Sequence, residues 1–385
     1  MTVPTPTAAQ LDLQARAREL SEVFKERATE VDRTEDYPMQ NAKELAAAGF
    51  MGMTIPQEYG GPGLSLYDVV LVIEEIAKGC GVSGRIVVDG NLGALSIIMR
   101  AGSEELKKHV ADLVLGGDKP VIQITEPAGG TDVNAMTTTA EVRGDTVVLN
   151  GTKTWITGAK DSVVNVVVAK LVEDGEDKGL CAVYCERDDE GFDLGKRNYM
   201  MGLRGIPEMD VHFNDLVVPR SNVLMFGLKD IMGRYNNQRV GAATVALGLA
   251  QAAYEDALHY TTQRQQFGHP ISDFQGLRWK LVDMRLALDA SRLLIHRAAA
   301  SASLSESGLP DPELAALAKL HAAENAITVS STALQLHGAL GYSRNIRVER
   351  LYRDARMFTL GGGTTEALRN LIGSQILKPF TSGVS

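Results

Sequence analysis

Along the first third of the chain, apolar side chains recur at spacings of three and four, as in DLQARARELSEVFKERATEVD and again in YDVVLVIEEIAKGC. That period predicts amphipathic helices from Ala8 to about Leu115, interrupted by the Pro and Gly cluster PQEYGGPG. From Pro120 to about Leu224 the texture changes to β-branched runs with turn residues between them: AEVRGDTVVLNGTKTWIT, SVVNVVVAKLV, GLCAVYCERD and MDVHFNDLVVP. These predict an antiparallel β domain. From Leu228 long amphipathic helices return in RVGAATVALGLAQAAYEDALHYTTQR and LRWKLVDMRLALDASRLLIHRAAASA, with SESGLPDP as a loop. The expected fold class is α+β: a helical domain over 1–118, a β domain over 119–225 and a second helical domain over 226–385. Ala-rich faces in the last third suit close helix packing, within one subunit or between subunits.

Composition changes this picture little. A chain of 385 residues buries a core large enough to need no disulfide or metal staple. Lys+Arg 39 against Asp+Glu 48 gives a net charge of -9, and no basic run tracks phosphates, so nucleic acid is not an expected partner. Cys80, Cys181 and Cys185 are few and odd in number; Cys181 and Cys185 share a face if their segment is a strand, and all three read as buried free thiols. The surrounding GLCAVYCERDD offers no further metal ligand. The N-terminal MTVPTPTAAQLDLQARAREL lacks an apolar core, and no later apolar run is expected to span a membrane. A cytoplasmic protein is expected.

Two motifs carry chemistry. In ITEPAGGTD, at 124–132, Gly129, Gly130 and Thr131 let backbone amides approach an anionic or carbonyl group. NGTKTWITGA, at 150–159, adds Trp155, by default a core aromatic, and the Thr157 hydroxyl. Together they resemble the TEP-x-A-G-S-D loop and WIT strand of the acyl-CoA dehydrogenase superfamily. MGMTIPQEYGGPGLS, RQQFGHPISDFQ at 264–275 and QLHGALGYSRNIRVERLYRDAR at 335–356 match further blocks of that family in the same order.

The resemblance implies the acyl-CoA dehydrogenase-like fold with a C-terminal four-helix bundle, FAD as cofactor, an acyl-CoA substrate and a homo-oligomer, as a tetramer. Implied FAD contacts in the β domain are Ile124, Thr125, Gly130, Thr131, Trp155 and Thr157. In the C-terminal domain they are Arg264, Phe267, Gln275, Gln335, Gly338, Thr364 and Glu366, with Arg264 and Gln335 reaching the FAD of a neighbouring subunit. An Arg beside a pyrophosphate makes charge-assisted hydrogen bonds, which suits Arg264.

Most of the family carries its catalytic base as the Glu of an E-G-T sequence. In DARMFTLGGGTTEALRN that place is Gly362. A minority supplies a Glu from a helix just before an Arg, and here those residues are Gln238 and Arg239. A Gln amide accepts no proton, so desaturation should be severely impaired. Glu366 follows Gly362 by four residues, where the family usually contacts the cofactor.

Arg85, in GCGVSGRIVVDGNLGA, falls by the resemblance at the deep end of the acyl cavity, where a guanidinium would grip a terminal anion. Without the resemblance it reads as a surface pair with Asp89 at spacing four. The two departures are similar to one branch, the 3-sulfinopropionyl-CoA desulfinases, through GRIVVDGNLGA, NNQRVGAATVALGLAQ and RDARMFTLGGGT, while GTTEALRN looks like ordinary members.

That branch implies a short CoA thioester ending in a sulfinate held by Arg85. The backbone amide of Gly362 would hold the thioester carbonyl, with Arg239 and Thr131 toward the substrate. Sulfur dioxide leaves, propionyl-CoA and sulfite form, and no electron-transfer partner is needed. A neutral Gln238 suits a second anion better than Glu would. Open alternatives are a dehydrogenase or oxidase with an unusual base, an oxygen-using flavoenzyme, and a non-catalytic acyl-CoA-binding flavoprotein. Only the dehydrogenase would use electron-transfer flavoprotein, and a dicarboxylyl-CoA would satisfy Arg85 almost as well.

Overall fold

A computed structural model of the protein describes residues 5–381. Six helices come first: α1 (Ala8–Thr34), α2 (Met39–Ala47), α3 (Leu66–Gly79), α4 (Gly81–Asp89), α5 (Ala94–Ala101) and α6 (Glu104–Leu115). Thr7 and Ser65 begin α1 and α3 with reciprocal capping boxes that satisfy the first free N–H groups.

The sheet follows: β1 (Val121–Gln123), β2 (Thr139–Arg143), β3 (Thr146–Thr157), β4 (Val164–Glu173), β5 (Glu176–Glu186), β6 (Phe192–Asn198), β7 (Glu208–Pro219) and β8 (Val223–Phe226). Its order is β6-β7-β3-β2-β4-β5-β8, with β1 pairing β4. The expectation of a purely antiparallel domain needs correcting, because β4 runs parallel to both β1 and β2. The chain leaving β3 crosses β2 to reach β4 instead of turning back in a hairpin. Alternation along each strand cannot reveal that crossing.

The second helical region holds α7 (Leu228–Gln263), a short hairpin of β9 (Gln265–Gln266) and β10 (His269–Pro270), then α8 (Gln275–Ala302), α9 (Pro312–Leu336), α10 (Val348–Arg356) and α11 (Thr365–Thr381). Both helical regions contribute to one core, in which Phe24, Val70 and Ile73 meet Val240, Leu249, Leu288 and Val329. Nearly every residue of α7 from Asn236 to Ala253 is buried. Small side chains make that possible: a Cβ on Gly248 would lie 2.6 Å from the Glu74 carbonyl oxygen of α3. The Ala residues of α7 and α9 thus pack within one subunit.

A second core, including Ile97, Ile98, Val110 and Val114, joins α5 and α6 to Val164, Val166 and Val168 of the sheet. Cys80, Cys181 and Cys185 are buried and free, and Cys181 and Cys185 share one face of β5. One stretch, Gly81–Ala101, has the length and composition of a membrane span, contrary to expectation. It forms α4 and α5, separated by a break at Gly90–Gly93, and 83% of its apolar window is buried inside the protein.

Candidate active site

Arg85 and Asp89 of α4 point into the junction of helices and sheet, where Lys119 and Glu208 meet them. Arg85 donates from Nε to Asp89 Oδ2 at 3.3 Å, and its Nη2 lies 3.1 Å from Asp89 Oδ1. The pair at spacing four forms, but not on the surface: the side chains are 15% and 6% exposed. Burial opposes the Arg85 charge, and Asp89, Tyr235 and Glu208 outweigh it, holding the guanidinium above the ordinary arginine range.

Asp89 is the hub of the cluster. Its Oδ1 also accepts from Gln238 Nε2 at 2.8 Å, and its Oδ2 lies 3.7 Å from Lys119 Nζ. Gln238 Oε1 is buried without a partner among the described residues. Gly93 lets this side chain come close, since a Cβ there would stand 2.6 Å from Oε1, and its φ of 57° also favours glycine.

Lys119 is fully buried and donates to the Thr157 carbonyl at 3.2 Å. Across the β3–β7 ladder Thr157 faces Glu208, and its Oγ1 donates to Glu208 Oε1 at 2.8 Å. Glu208 Oε2 is buried and unpartnered among the described residues. Burial pushes this carboxyl up to about 7, against the opposing effects of Thr157, Arg85 and Lys119.

The loop bearing Gly362 closes the other side. Gly362 and Gly363 adopt φ of 75° and 92°, and their carbonyls turn inward onto cations. Gly362 O accepts from Arg239 Nε at 3.4 Å, and Gly363 O accepts from Lys319 Nζ. The Gly362 N–H has no partner among the described residues, so it is available to a carbonyl oxygen. Arg239 is buried, not on a helix surface; it donates to Asn236 Oδ1 at 2.6 Å and its guanidinium stands 5.7 Å from the Tyr235 ring centre. Burial, then the like charge of Arg239, lowers the Lys319 ammonium to about 7.

The residues read as flavin contacts form three groups on different elements. In the first, Thr154 N donates to Thr125 O at 2.9 Å, tying β3 to the loop of Ile124, Gly130 and Thr131. The hydroxyls of Thr125 and Thr131 are unpaired among the described residues. Trp155 is no core aromatic: it is 52% exposed, at a register shift of β3, with φ of 57°. That conformation is uncommon for a non-glycine residue, and here it turns the indole outward. An exposed indole beside bare loop amides and free hydroxyls fits a planar, hydrogen-bonding ring system such as a flavin.

The second group surrounds the end of α7. Arg264 caps that helix, Phe267 is 88% exposed at φ of 54°, and Gln275 starts α8. Gln335 and Gly338 close α9, which is locked to α7 by Tyr260 stacked on His337 at 4.4 Å. The third, Thr364 and Glu366, lies with the Gly362 loop: Thr364 accepts from Ala367 N at 3.2 Å as α11 begins, and Glu366 is exposed in its first turn. Glu366 stays exposed, though its charge reaches Lys319.

Sequence reasoning missed Lys119, Glu208, Lys319 and the hub role of Asp89. Glu208 sits at an outward position of an alternating strand, and the packing of helices onto the sheet encloses it. A separate cleft of about 590 Å³, lined in part by Ser96, Arg100, Arg234 and Asn237, flanks the start of α7 and does not include the Arg85 cluster.

The N-terminal, middle and C-terminal domains described for acyl-CoA dehydrogenases match residues 7–118, 121–216 and 226–377. The chain belongs to the acyl-CoA dehydrogenase family. It is 48% identical to a 3-sulfinopropanoyl-CoA desulfinase of Cupriavidus necator, over 96% of this chain and 95% of that one. Among solved family structures, butyryl-CoA dehydrogenase of Megasphaera elsdenii superposes with a TM-score of 0.92 at 31% identity, covering 98% of this chain and 100% of the other. A glutaryl-CoA dehydrogenase complexed with glutaryl-CoA gives a TM-score of 0.92 at 31% identity, over 98% of this chain and 97% of its own.

Proposed function

We propose that the protein is a FAD-containing desulfinase that converts 3-sulfinopropanoyl-CoA and water to propanoyl-CoA and sulfite without net oxidation. The observation that carries this reading is the buried Arg85 guanidinium in a family site whose two base positions hold Gln238 and Gly362. The likeness to curated desulfinases over nearly the whole chain supports it.

Arg85 would hold the sulfinate, since Asp89 occupies only part of its donor fork. The Gly362 N–H would hold the thioester carbonyl, and Arg239 keeps that loop turned inward. Gln238 orients Asp89 and adds no second negative charge to a dry site. Asp89 is no substitute base, because Arg85, Gln238 and Lys119 already surround its oxygens. Bound FAD, for which Thr125, Thr131 and Trp155 are suited, would supply an electron-accepting ring beside the acyl chain.

A homotetramer belongs to the same reading. In its support, α8 presents Trp279, Val282, Leu286 and Leu293 to solvent at helical spacing, which a second copy would cover. A cytoplasmic setting is in keeping with three free, buried thiols. The test is to mix the purified protein with 3-sulfinopropanoyl-CoA and no electron acceptor, then follow sulfite and the flavin spectrum. Multiple turnovers with the flavin oxidised at steady state are expected; flavin bleaching without sulfite would instead identify a dehydrogenase.

A further inference from the structure

The reaction just proposed needs a proton, and none of the residues so far given a role can supply it. Loss of sulfur dioxide leaves the electron pair of the C–S bond on the β-carbon, where it must end in a new C–H bond. Arg85 stays protonated, Gln238 is an amide, and Asp89 is a carboxylate enclosed by donors. Lys119 directs its ammonium at Asp89 and at the Thr157 carbonyl. Of the two carboxyl groups whose charge reaches Arg85, Asp89 and Glu208, the other is Glu208.

Its placement is specific. Glu208 opens β7 opposite Thr157 of β3, with Asn198 of β6 as its other ladder neighbour. Thr157 fixes Oε1 at 2.8 Å, while Oε2 is withdrawn from solvent with no partner among the described residues. A buried carboxyl oxygen with no donor to meet favours the neutral acid over the carboxylate. Arg85 and Asp89 face it from α4, and Lys119 faces it from the segment before β1. Beyond these, Tyr235 of α7 lies near Arg85, and Tyr37, Asp118 and Asp161 lie near Asp89 or Lys119. A sulfinate paired with Arg85 would carry its β-carbon one bond beyond the sulfur, and Glu208 lies within electrostatic reach of that guanidinium.

We propose that Glu208 is the proton donor of the desulfination, held by Thr157 beside the Arg85 anion site so that its proton takes the place of sulfur on the β-carbon. The C–S bond breaks and its electron pair forms the new C–H bond with the Glu208 proton. Glu208 becomes a carboxylate. The released sulfur dioxide adds water to give bisulfite and one proton, which restores the acid. Atoms and electrons balance with water as the sole co-reactant. A group whose pKa lies at about 7 suits this cycle, being able both to give and to regain a proton near neutral pH. The proposal rests on the desulfinase reading.

The test compares FAD-loaded wild-type protein with Glu208→Gln, which keeps an oxygen to accept from Thr157, and with Glu208→Asp. Sulfite release is measured against pH, and infrared difference spectra are taken without substrate to detect a protonated carboxyl. Wild-type kcat should fall as pH rises through about 7; Glu208→Gln should lose roughly 100-fold or more in kcat with KM little changed, the scale of general acid catalysis, and Glu208→Asp should recover part of it. The protonated-carboxyl band should vanish in Glu208→Gln. Sulfite release by Glu208→Gln at the wild-type rate and pH profile, or an unchanged band, would overturn the role of Glu208 alone. No sulfite from wild-type protein would overturn the desulfinase reading and this proposal with it.

Discussion

Replacing Arg85 by Lys keeps the positive charge and removes the fork, so it separates simple attraction from directed binding. Arg85 spends its Nε hydrogen on Asp89 at 3.3 Å, with Nη2 3.1 Å from the other oxygen, leaving the Nη1 hydrogens to meet an anionic acyl end. A lysine ammonium has a shorter reach and fewer hydrogens, and it must divide them between Asp89 and the ligand. The loss is one charge-assisted hydrogen bond, about 1.5–3 kcal/mol, which corresponds to about a 10- to 150-fold fall in kcat/KM for 3-sulfinopropanoyl-CoA. The assay is steady-state sulfite release, paired with calorimetric binding of propanoyl-CoA, which has no anionic end. Propanoyl-CoA affinity should stay within about threefold of wild type, a difference below 1 kcal/mol. A kcat/KM for the sulfinate thioester within the same margin would refute the placement of Arg85. An equal loss of propanoyl-CoA binding would show that the substitution damaged the pocket as a whole.

Three further outcomes follow from named contacts. Gln238→Glu sets a second carboxylate against Asp89 where an amide now donates at 2.8 Å, so one of the two should bind a proton near neutral pH; bleaching of the flavin by butanoyl-CoA should then appear only as pH rises, and bleaching that is independent of pH would contradict the contact. Lys153 and Glu126 form a buried pair at 2.8 Å. Burial opposes the Glu126 charge, but Lys153 with Thr137 and Thr138 outweighs it and holds the carboxyl at about 2, below its ordinary 4.5. Stability from this group is therefore present above pH 4.5 and lost as pH falls toward 2. Lys153→Met should cost about 3–5 kcal/mol and move acid unfolding to higher pH, read by fluorescence of the protein against pH. Leu286→Asp places a charge on the apolar α8 stripe and should yield smaller species by sedimentation velocity; an unchanged assembly would place the interface elsewhere.

The blocks of helix, sheet and helix were legible because each has its own hydrophobic period, and the loop motifs because their residue types recur with fixed spacing. The parallel pairings of β4 were not, since strand alternation is the same whichever neighbour a strand takes. Arg85 shows the limit most clearly. Its spacing from Asp89 is that of a solvated helix pair, and the pair does form, yet α4 lies where helices and sheet meet. Trp155 is the converse: an aromatic in an apolar strand reads as core, but a register shift and a left-handed backbone turn it outward.

The buried polar cluster also explains why a lost base position need not be a lost enzyme. Arg85 and Lys119 bring two positive charges into the interior against Asp89, with Glu208 able to stay neutral. Such an arrangement has room for one more negative charge, and a ligand anion would complete it. A glutamate at position 238, once ionised, would supply that charge from the protein itself, beside Asp89, and oppose the ligand. On the proposed reading, Gln238 in place of a glutamate base and Arg85 in the acyl cavity are one electrostatic change: a cavity served by a base becomes a cationic cavity served by an acid. On this argument Gln238→Glu should weaken binding of 3-sulfinopropanoyl-CoA more than binding of propanoyl-CoA, and equal effects on both would separate the two substitutions.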